Sequence, residues 1–555
     1  MSTQETAASL EVRYEFMRPD QIIAAREQAP VAFVPLGPLE WHALHLPIGT
    51  DMLHAYTLAL HLAQEFGGVV IPPLPLGSET VLEPDRVRDR GFRGDEKIVG
   101  MDFPGLALPS LYIEESAFGS IVHEVVRALK RQGFRLIVIV NGHGGKYHLV
   151  QLDRIAAEES DPGQVVVLHA FPVDPQVLPG GGHAEKYETS LIKVVYPETV
   201  DLAALPPLST PLKIGDLGIL DGPTCEGQPT PGFTVRANQD PRYATDELGR
   251  EALATGLRII GDQIRQALAN LKISASPYAG PSEQAEGSRI IENRYEYMRP
   301  NQIIAARERS FIAYIPIGPL EWHGPHLPYG TDMLHAYTVA HALAKEYGGV
   351  VLPPLPFGSE SVLEPDRVRD RGFKGDEKIW GMDFPGLSLP SLYLADNAIG
   401  VVLHDLIRAL KAQQFRVIVI VNGHGGKYHV LTLERIAAEQ TEPGKIAVIH
   451  AFAFDVGSGK GGHAERYETG FMQAYYPRTV NLNALPLFPE PVKNVEYGIL
   501  DGPTCLGQPT PDFSVRSEQD PRNARIEEGY QDVRNGVERL ADQLRTAIAS
   551  IGLTR

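Results

Sequence analysis

The sequence is short of cysteine, of net positive charge and of long apolar runs. Two cysteines in 555 residues exclude a disulfide-stapled scaffold, whose small domains depend on several bridges. Cys225 and Cys505 occupy equivalent places in DGPTCEGQPTP and DGPTCLGQPTP. The expectation is two buried free thiols in a cytoplasmic protein rather than a bridge. With 51 basic against 69 acidic side chains the formal charge is −18. That balance argues against nucleic acid or an anionic membrane as partner, because phosphate binding needs a basic face. No apolar run approaches the ~20 residues of a membrane-spanning helix. The opening MSTQETAASLEVRYEF has no apolar core, so neither a secretory signal nor a membrane anchor is expected there. An apolar fraction of 43% with 22% charged residues is ordinary for a globular protein.

What the chain does have is a repeat. Residues 31–60 read VAFVPLGPLEWHALHLPIGTDMLHAYTLAL and residues 312–341 read IAYIPIGPLEWHGPHLPYGTDMLHAYTVAH, with 21 of 30 positions identical. The offset is 281 residues from Glu40 to Glu321, and 280 from His183 to His463. A period this long is a whole domain, because solenoid units repeat every ~20–50 residues. The expected division is a first domain at 1–272, a linker at 273–290 and a second domain at 291–555. The linker contains ISASPYAGPSEQAEGS, small, polar and Pro/Gly-bearing. A periodic helical segment closes each unit, DELGREALATGLRIIGDQIRQALANL in the first and GYQDVRNGVERLADQLRTAIASI in the second.

Within a unit, short β-branched runs (VAFVPLG, VVIPPLPLG, RLIVIVNG, QVVVLHAF) alternate with helical patterns (MLHAYTLALHLAQEF, GSIVHEVVRALKRQG, YHLVQLDRIAAEE). Continuously apolar strands imply a parallel sheet covered by helices on both faces, an α/β fold. In such sheets, sites form in loops beyond the carboxyl ends of the strands.

Five positions per unit carry chemistry. Glu40 and His42 are two apart, so an extended backbone points both side chains the same way. Asp51 opens a helix nine residues later, His143 follows a strand in NGHGG, and Glu188 lies in GGHAEKYETS. The second unit supplies Glu321, His323, Asp332, His424 and Glu468. An isolated E-x-H or NGH is usually incidental. The whole set, kept twice while neighbouring residues have drifted, is not. Carboxylates and imidazoles converging from strand ends suit Zn²⁺ or Mn²⁺. Five ligands exceed what one tetrahedral ion needs, and one carboxylate can bridge two ions.

GPLEWHGPHLPYGTD resembles the E-x-H-G-x-H-L-P-x-x-T-D signature of the creatininase (creatinine amidohydrolase) family. NGHGG resembles its second motif and HAEKYETS its HAGxxETS motif. The resemblance implies two fused three-layer α/β/α domains with mainly parallel sheets, and two divalent ions, Zn or Mn, per domain. It implies hydrolysis of small cyclic or linear amide C–N bonds. Carried over residue by residue, Glu40, Asp51 and His143 would hold one ion. His42, Asp51 and Glu188 would hold the other, with Asp51 bridging. His183 would transfer a proton. The second set is Glu321, His323, Asp332, His424 and Glu468, with His463.

The departures point to substrate. Ala43-Leu44 replaces the Gly-Pro that Gly324-Pro325 keeps, and Glu185 and Glu465 replace the Gly of HAG. Creatininase's Glu in the NGH motif is absent, so Glu188 and Glu468 would take its ligand role. Lys146 and Lys427 stand beside the site in NGHGGK. A charged insert, LEPDRVRDRGFRGDEKIVGM, brings Arg86, Arg88 and Arg90. Charge-rich loops are commonly solvated, but a long loop after a strand is also where lids and specificity residues lie. The expected activity is metal-dependent opening of a small cyclic amide or related ring. Rival readings are C–C hydrolysis of a cyclic polyol diketone, isomerisation by enolisation, or a non-catalytic scaffold. Intact ligands in both units count against the scaffold. Closed symmetry is common among homo-oligomers, and three two-domain chains would reproduce the family's hexamer. Light scattering should therefore give roughly 180 kDa, three times the 60.8 kDa chain; a monomer mass would show that the fusion has covered the assembly surfaces.

Overall fold

The computed structural model describes residues 11–89, 92–104, 106, 108–172, 183–210, 212, 214–215, 218–219, 238–274, 293–370, 373–385, 387, 389–454, 463–490, 492 and 518–553. Both cysteines and nearly all of the 273–290 stretch lie outside the described residues. In the first half the order is α1 (Pro19–Gln28), β1 (Val31–Leu36), α2 (Thr50–Phe66), β2 (Val69–Val70), α3 (Pro84–Asp89), α4 (Glu115–Arg131), β3 (Leu136–Asn141), α5 (Lys146–Glu159), β4 (Val166–Ala170) and α6 (Lys186–Val195). Among the described residues a short antiparallel ribbon, β5 (Ile214–Gly215) with β6 (Gly218–Ile219), and the long α7 (Asp246–Leu271) follow. The second half repeats the plan as α8 (Pro300–Arg309), β7 (Ile312–Ile317), α9 (Thr331–Tyr347), β8 (Val350–Val351), α10 (Pro365–Asp370), α11 (Asp396–Ala412), β9 (Val417–Asn422), α12 (Lys427–Gln440), β10 (Ala447–Phe452), α13 (Arg466–Tyr475) and α14 (Ile526–Ser550).

Each half holds a four-stranded sheet, ordered β2-β1-β3-β4 and β10-β9-β7-β8, with every pairing parallel. The two central strands are buried along their whole length, as their unbroken apolar runs require. The run VVIPPLPLG makes only a two-residue strand, because Pro72 and Pro73 have no N–H to give a ladder. Side chains alternate across each sheet. Val31, Phe33, Leu136, Val138 and Val140 meet α2 and α7 in one core. Ala32, Val34, Leu36, Ile137 and Ile139 meet α1, α4 and α5 in another. That second core is continuous with its counterpart in the other half, through Ile315, Ile317, Ile418, Leu403 and Leu410. Each half is thus a three-layer α/β/α sandwich, and α4 packs against α11 where the halves meet.

The halves also exchange backbone hydrogen bonds in a reciprocal pattern. Ile48 and Gly49 donate to the carbonyls of Met298 and Glu296, at 2.9 and 3.0 Å. Tyr329 and Gly330 donate to Met17 and Glu15, at 3.0 and 3.1 Å. A Cβ at Gly49 would lie 2.5 Å from the Glu296 carbonyl oxygen, and one at Gly330 2.5 Å from that of Glu15, so these close approaches need glycine. Gln132 donates to the Pro390 carbonyl and Gln413 to that of Pro109, at 2.6 and 2.5 Å. Such self-complementary contacts are the mark of a two-fold interface, here enclosed within one chain. Among the described residues no helix is long and apolar enough to cross a membrane. Replacing Gln413 by Ala strips partners from the buried Tyr295 hydroxyl and the Pro109 carbonyl. It should lower unfolding stability by about 1–3 kcal/mol, read by denaturant titration.

Candidate metal centre

In each half the segments after the first and third strands, with the helix that follows the fourth, bring the five motif residues together. The loop between β1 and α2 is held on both sides. Glu40 donates from its backbone to Ile48 at 2.9 Å, and Leu111 donates to Leu39 at 2.8 Å. Trp41 N–H donates to Ser110 Oγ at 3.0 Å. After β3, Asn141 clamps the turn: its Nδ2 donates to the His143 carbonyl at 2.8 Å, and its Oδ1 accepts from His143 N–H at 2.9 Å. His148 packs Nε2 against the same Oδ1 at 3.0 Å.

Asp51, in the first turn of α2, lies between two imidazoles. Its Oδ1 is 3.0 Å from His42 Nε2 and its Oδ2 is 2.9 Å from His143 Nδ1. Each imidazole faces a second carboxylate: Glu188 Oε1 is 3.6 Å from His42 Nε2, and Glu40 Oε2 is 3.3 Å from His143 Nδ1. The second half repeats this. Asp332 is 3.0 Å from both His323 Nε2 and His424 Nδ1. Glu468 Oε2 is 3.7 Å from His323, and Glu321 Oε2 is 3.3 Å from His424. His183 stacks on His42 with ring centroids 4.0 Å apart; its Nε2–H donates to the Trp41 carbonyl, and its Nδ1 is 3.4 Å from Glu40 Oε2. His463 does the same against His323, Trp322 and Glu321.

Burial alone would push His42 and His143 down, yet both are held well above the ordinary range, His42 by Glu188 and Asp51 and His143 by Glu40 and Asp51. In the second half the same balance raises His323 to about 10. Burial dominates at His463, which falls to about 4. Imidazoles this basic mark a site in which buried carboxylates outnumber the cations available to them.

Sequence reasoning missed three contributors. Glu79 Oε1 lies 2.9 Å from His143 Nε2, and Glu360 Oε1 3.1 Å from His424 Nε2. Tyr112 donates to Glu40 Oε1 and Tyr393 to Glu321 Oε1. Asn141 and Asn422 hold the His turns. The available signal was repetition, since GSET pairs with GSES and PSLYI with PSLYL. The charged insert is more than a solvated run: Val87, Ile98, Met101 and Phe103 form a small buried cluster. Met101 N–H reaches the Tyr112 hydroxyl at 3.2 Å, so the insert leans on the residue that holds Glu40. Arg88 is exposed and pairs with Asp85. Arg90 and the Arg86 side chain lie outside the described residues. Lys146 and Lys427 are exposed at the first positions of α5 and α12.

A family model described as creatinine amidohydrolase matches residues 15–263 and again 296–544. The chain belongs to the creatininase family, whose members are metal-dependent amidohydrolases. The creatinine amidohydrolase of Pseudomonas putida is 28% identical over 191 residues, 31% of this chain and 66% of that protein. The mycofactocin precursor peptide peptidase of Mycolicibacterium smegmatis is 30% identical over 126 residues, 22% of this chain and 42% of that protein. The chain thus spans less than two thirds of the length of these curated relatives. A solved structure named "Creatininase Mn" is 20% identical, with a TM-score of 0.33, and covers 46% of this chain and 98% of its own.

One difference between the halves can be measured directly. Ala43 sits at φ 58°, where the second half has Gly324 at φ 69°. A left-handed alanine costs about 1–2 kcal/mol, partly offset by the extra freedom that glycine has when unfolded. Ala43→Gly should therefore raise stability by about 0.5–1 kcal/mol, seen as a higher denaturation midpoint; a lower midpoint would contradict the strain.

Proposed function

We propose that the chain is a metal-dependent hydrolase with two like centres, each opening a small cyclic amide or a related ring. The two catalytic units would be residues 1–272 and 291–555, joined by 273–290. The observation that carries this reading is the placement of Asp51 and Asp332, each between two imidazoles that are backed by further carboxylates. The residues present fit divalent ions. Glu40 Oε2, His42 Nε2, Glu321 Oε2 and His323 Nε2 are buried, and each faces another side chain of the cluster. The ligand atoms of His42, Asp51 and Glu188 in the first half, and of Glu321, Asp332 and His424 in the second, converge within 4.8 Å. Glu40, Asp51 and His143 would hold one ion; His42, Asp51 and Glu188 would hold the other. Glu321, Asp332 and His424, with His323, Asp332 and Glu468, would do the same in the second half. The mixed oxygen and imidazole donor set suits Zn²⁺ or Mn²⁺. When bound, such ions supply Lewis acidity, lowering the pKa of water and polarising a carbonyl.

The side chains supply the rest. His183 is held by its Nε2–H on the Trp41 carbonyl, which leaves Nδ1 facing the cluster as the atom that accepts a proton and returns it to a departing nitrogen. His463 has the same arrangement. Ala184 N–H, at 2.6 Å from Glu188 Oε2, anchors that carboxylate, and the Tyr112 hydroxyl orients Glu40. Cleavage of an amide C–N bond is also the chemistry that the names of both curated relatives describe. The exposed pairing of Arg88 with Asp85 gives no support to a hydroxyl-binding arginine cluster, so the cyclic-polyol reading stays behind the amide one.

Elemental analysis after gentle purification should find about four Zn or Mn ions per chain, and chelation should abolish hydrolysis of cyclic amides; a metal-free chain with full activity would sink the reading. The two centres should contribute unequally, because the second keeps Gly324-Pro325 beside its ligand loop. Asp332→Ala should remove more than half of the activity and Asp51→Ala less than half. Equal losses would contradict the asymmetry, and total loss from either change would show the centres to be coupled.

A further inference from the structure

Among the side chains that the reading above leaves without a role, Glu79 and Glu360 are the most constrained. Neither belongs to the five-residue sets, yet each touches a proposed ligand, and Glu79 has a carboxylate oxygen within 4.8 Å of ligand atoms of both Glu40 and His143. Glu79 Oε1 is 2.9 Å from His143 Nε2, and its Oε2 accepts the Thr80 N–H at 3.3 Å. Glu360 Oε1 lies 3.1 Å from His424 Nε2 without hydrogen-bond geometry, and its Oε2 accepts the Ser361 N–H at 3.2 Å. Glu79 is therefore held from two directions, and Glu360 stands in the equivalent place.

His143 consequently has a carboxylate at each ring nitrogen. Nδ1 faces Asp51 and Glu40, and Nε2 faces Glu79. An imidazole that ligates a metal is neutral, with one N–H and one lone pair. The lone pair is needed on the Asp51 side, because Asp51 is the carboxylate shared with His42. The proton then sits on Nε2, where Glu79 accepts it. His42 is locked the other way round: its Nδ1–H donates to the Glu40 carbonyl at 3.0 Å, leaving Nε2 toward Asp51 and Glu188. The two imidazoles of one centre thus present opposite nitrogens to the same aspartate.

The glycines of the NGHGG turns fit this arrangement. A Cβ at Gly145 would lie 2.2 Å from Glu79 Oε1 and 2.7 Å from His143 Nε2, and one at Gly426 2.5 Å from both Glu360 Oε1 and His424 Nε2. Any side chain there would occupy the place of the carboxylate.

Resting on the metal-centre reading, we propose that Glu79 and Glu360 are positioning residues that fix the Nδ1-ligating tautomer of His143 and His424, and that Gly145 and Gly426 are glycine to admit them. Partners of this kind orient a ligating histidine and raise its basicity, and losing one typically costs about 10–100-fold in metal affinity.

The test uses the full chain, with zinc binding followed by competition against a chelating dye. Glu79→Ala with Glu360→Ala should weaken the affinity of one ion per half by about 10–100-fold, with full stoichiometry recovered at higher zinc. Gly145→Ala with Gly426→Ala should give a similar loss, and Glu79→Gln with Glu360→Gln, which keeps an acceptor oxygen, a smaller one. In cobalt-loaded protein, the exchangeable imidazole N–H resonances facing Glu79 and Glu360 should be sharp in the wild type and lost in the alanine variant. Unchanged affinity with unchanged resonances would overturn the proposal. So would a stoichiometry that no zinc concentration restores, because the glutamates would then be ligands themselves. If the wild-type chain binds no zinc or cobalt, the metal-centre reading fails with it; if the wild type binds and the variants match it, only the positioning role fails. Circular dichroism on each variant separates these results from misfolding, and the glutamine pair supplies the comparison if the alanine pair does not fold.

Discussion

Buried negative charge is the constraint on which the rest of the structure turns. Each half places Glu40, Asp51 and Glu188, or Glu321, Asp332 and Glu468, around two imidazoles, each carboxylate within 3.7 Å of one of them. Coulomb repulsion between like charges grows as water is excluded, and burying unpaired ions costs several kcal/mol each. The imidazoles answer part of that cost by holding protons well above their usual range. Divalent ions would answer it more fully, with two charges at the points where carboxylate oxygens and imidazole nitrogens converge.

Such a cluster survives only if its scaffold cannot relax. The strand ends, the asparagine clamp and the hydroxyls of Tyr112 and Tyr393 each remove a degree of freedom from a ligand. Backbone is held away from its relaxed conformation at the same place: Ala184 and Ala464, next to the proposed proton-transfer histidines, sit at φ 55° and 57°. Residues in this region persist when their surroundings over-determine them, and here the Ala184 and Ala464 N–H groups anchor Glu188 and Glu468. The other half of the chain completes the frame. Ile48 and Gly49, just before the helix that carries Asp51, are tied to the backbone of Glu296 and Met298. Duplication therefore gives more than a second copy, because each ligand loop is braced by residues of its twin.

Much of this is legible in the amino-acid sequence. Unbroken apolar runs read as central parallel strands, and Glu40, His42 and His143 fall just beyond the ends of those strands. What resisted reading depends on atoms that residue identity does not encode. The reciprocal bonds between halves come from backbone groups of Ile48, Gly49, Tyr329 and Gly330. Glu79 and Tyr112 are distant in sequence from Glu40 and His143, and only the return of the chain over the strand ends brings them near. The charged insert misleads for a related reason. Its acidic and basic residues are conspicuous, whereas the few buried apolar ones that fold it, Val87, Ile98 and Met101, are spread thinly between them.

The most direct test of the central claim is anomalous diffraction from crystals of the metal-loaded chain, collected on either side of the zinc or manganese absorption edge. Paired peaks in each half are predicted, one among Glu40, Asp51 and His143 and one among His42, Asp51 and Glu188, with the equivalent pair around Asp332. Peaks elsewhere, or clean density for salt-bridged side chains with no anomalous signal at saturating metal, would contradict the account.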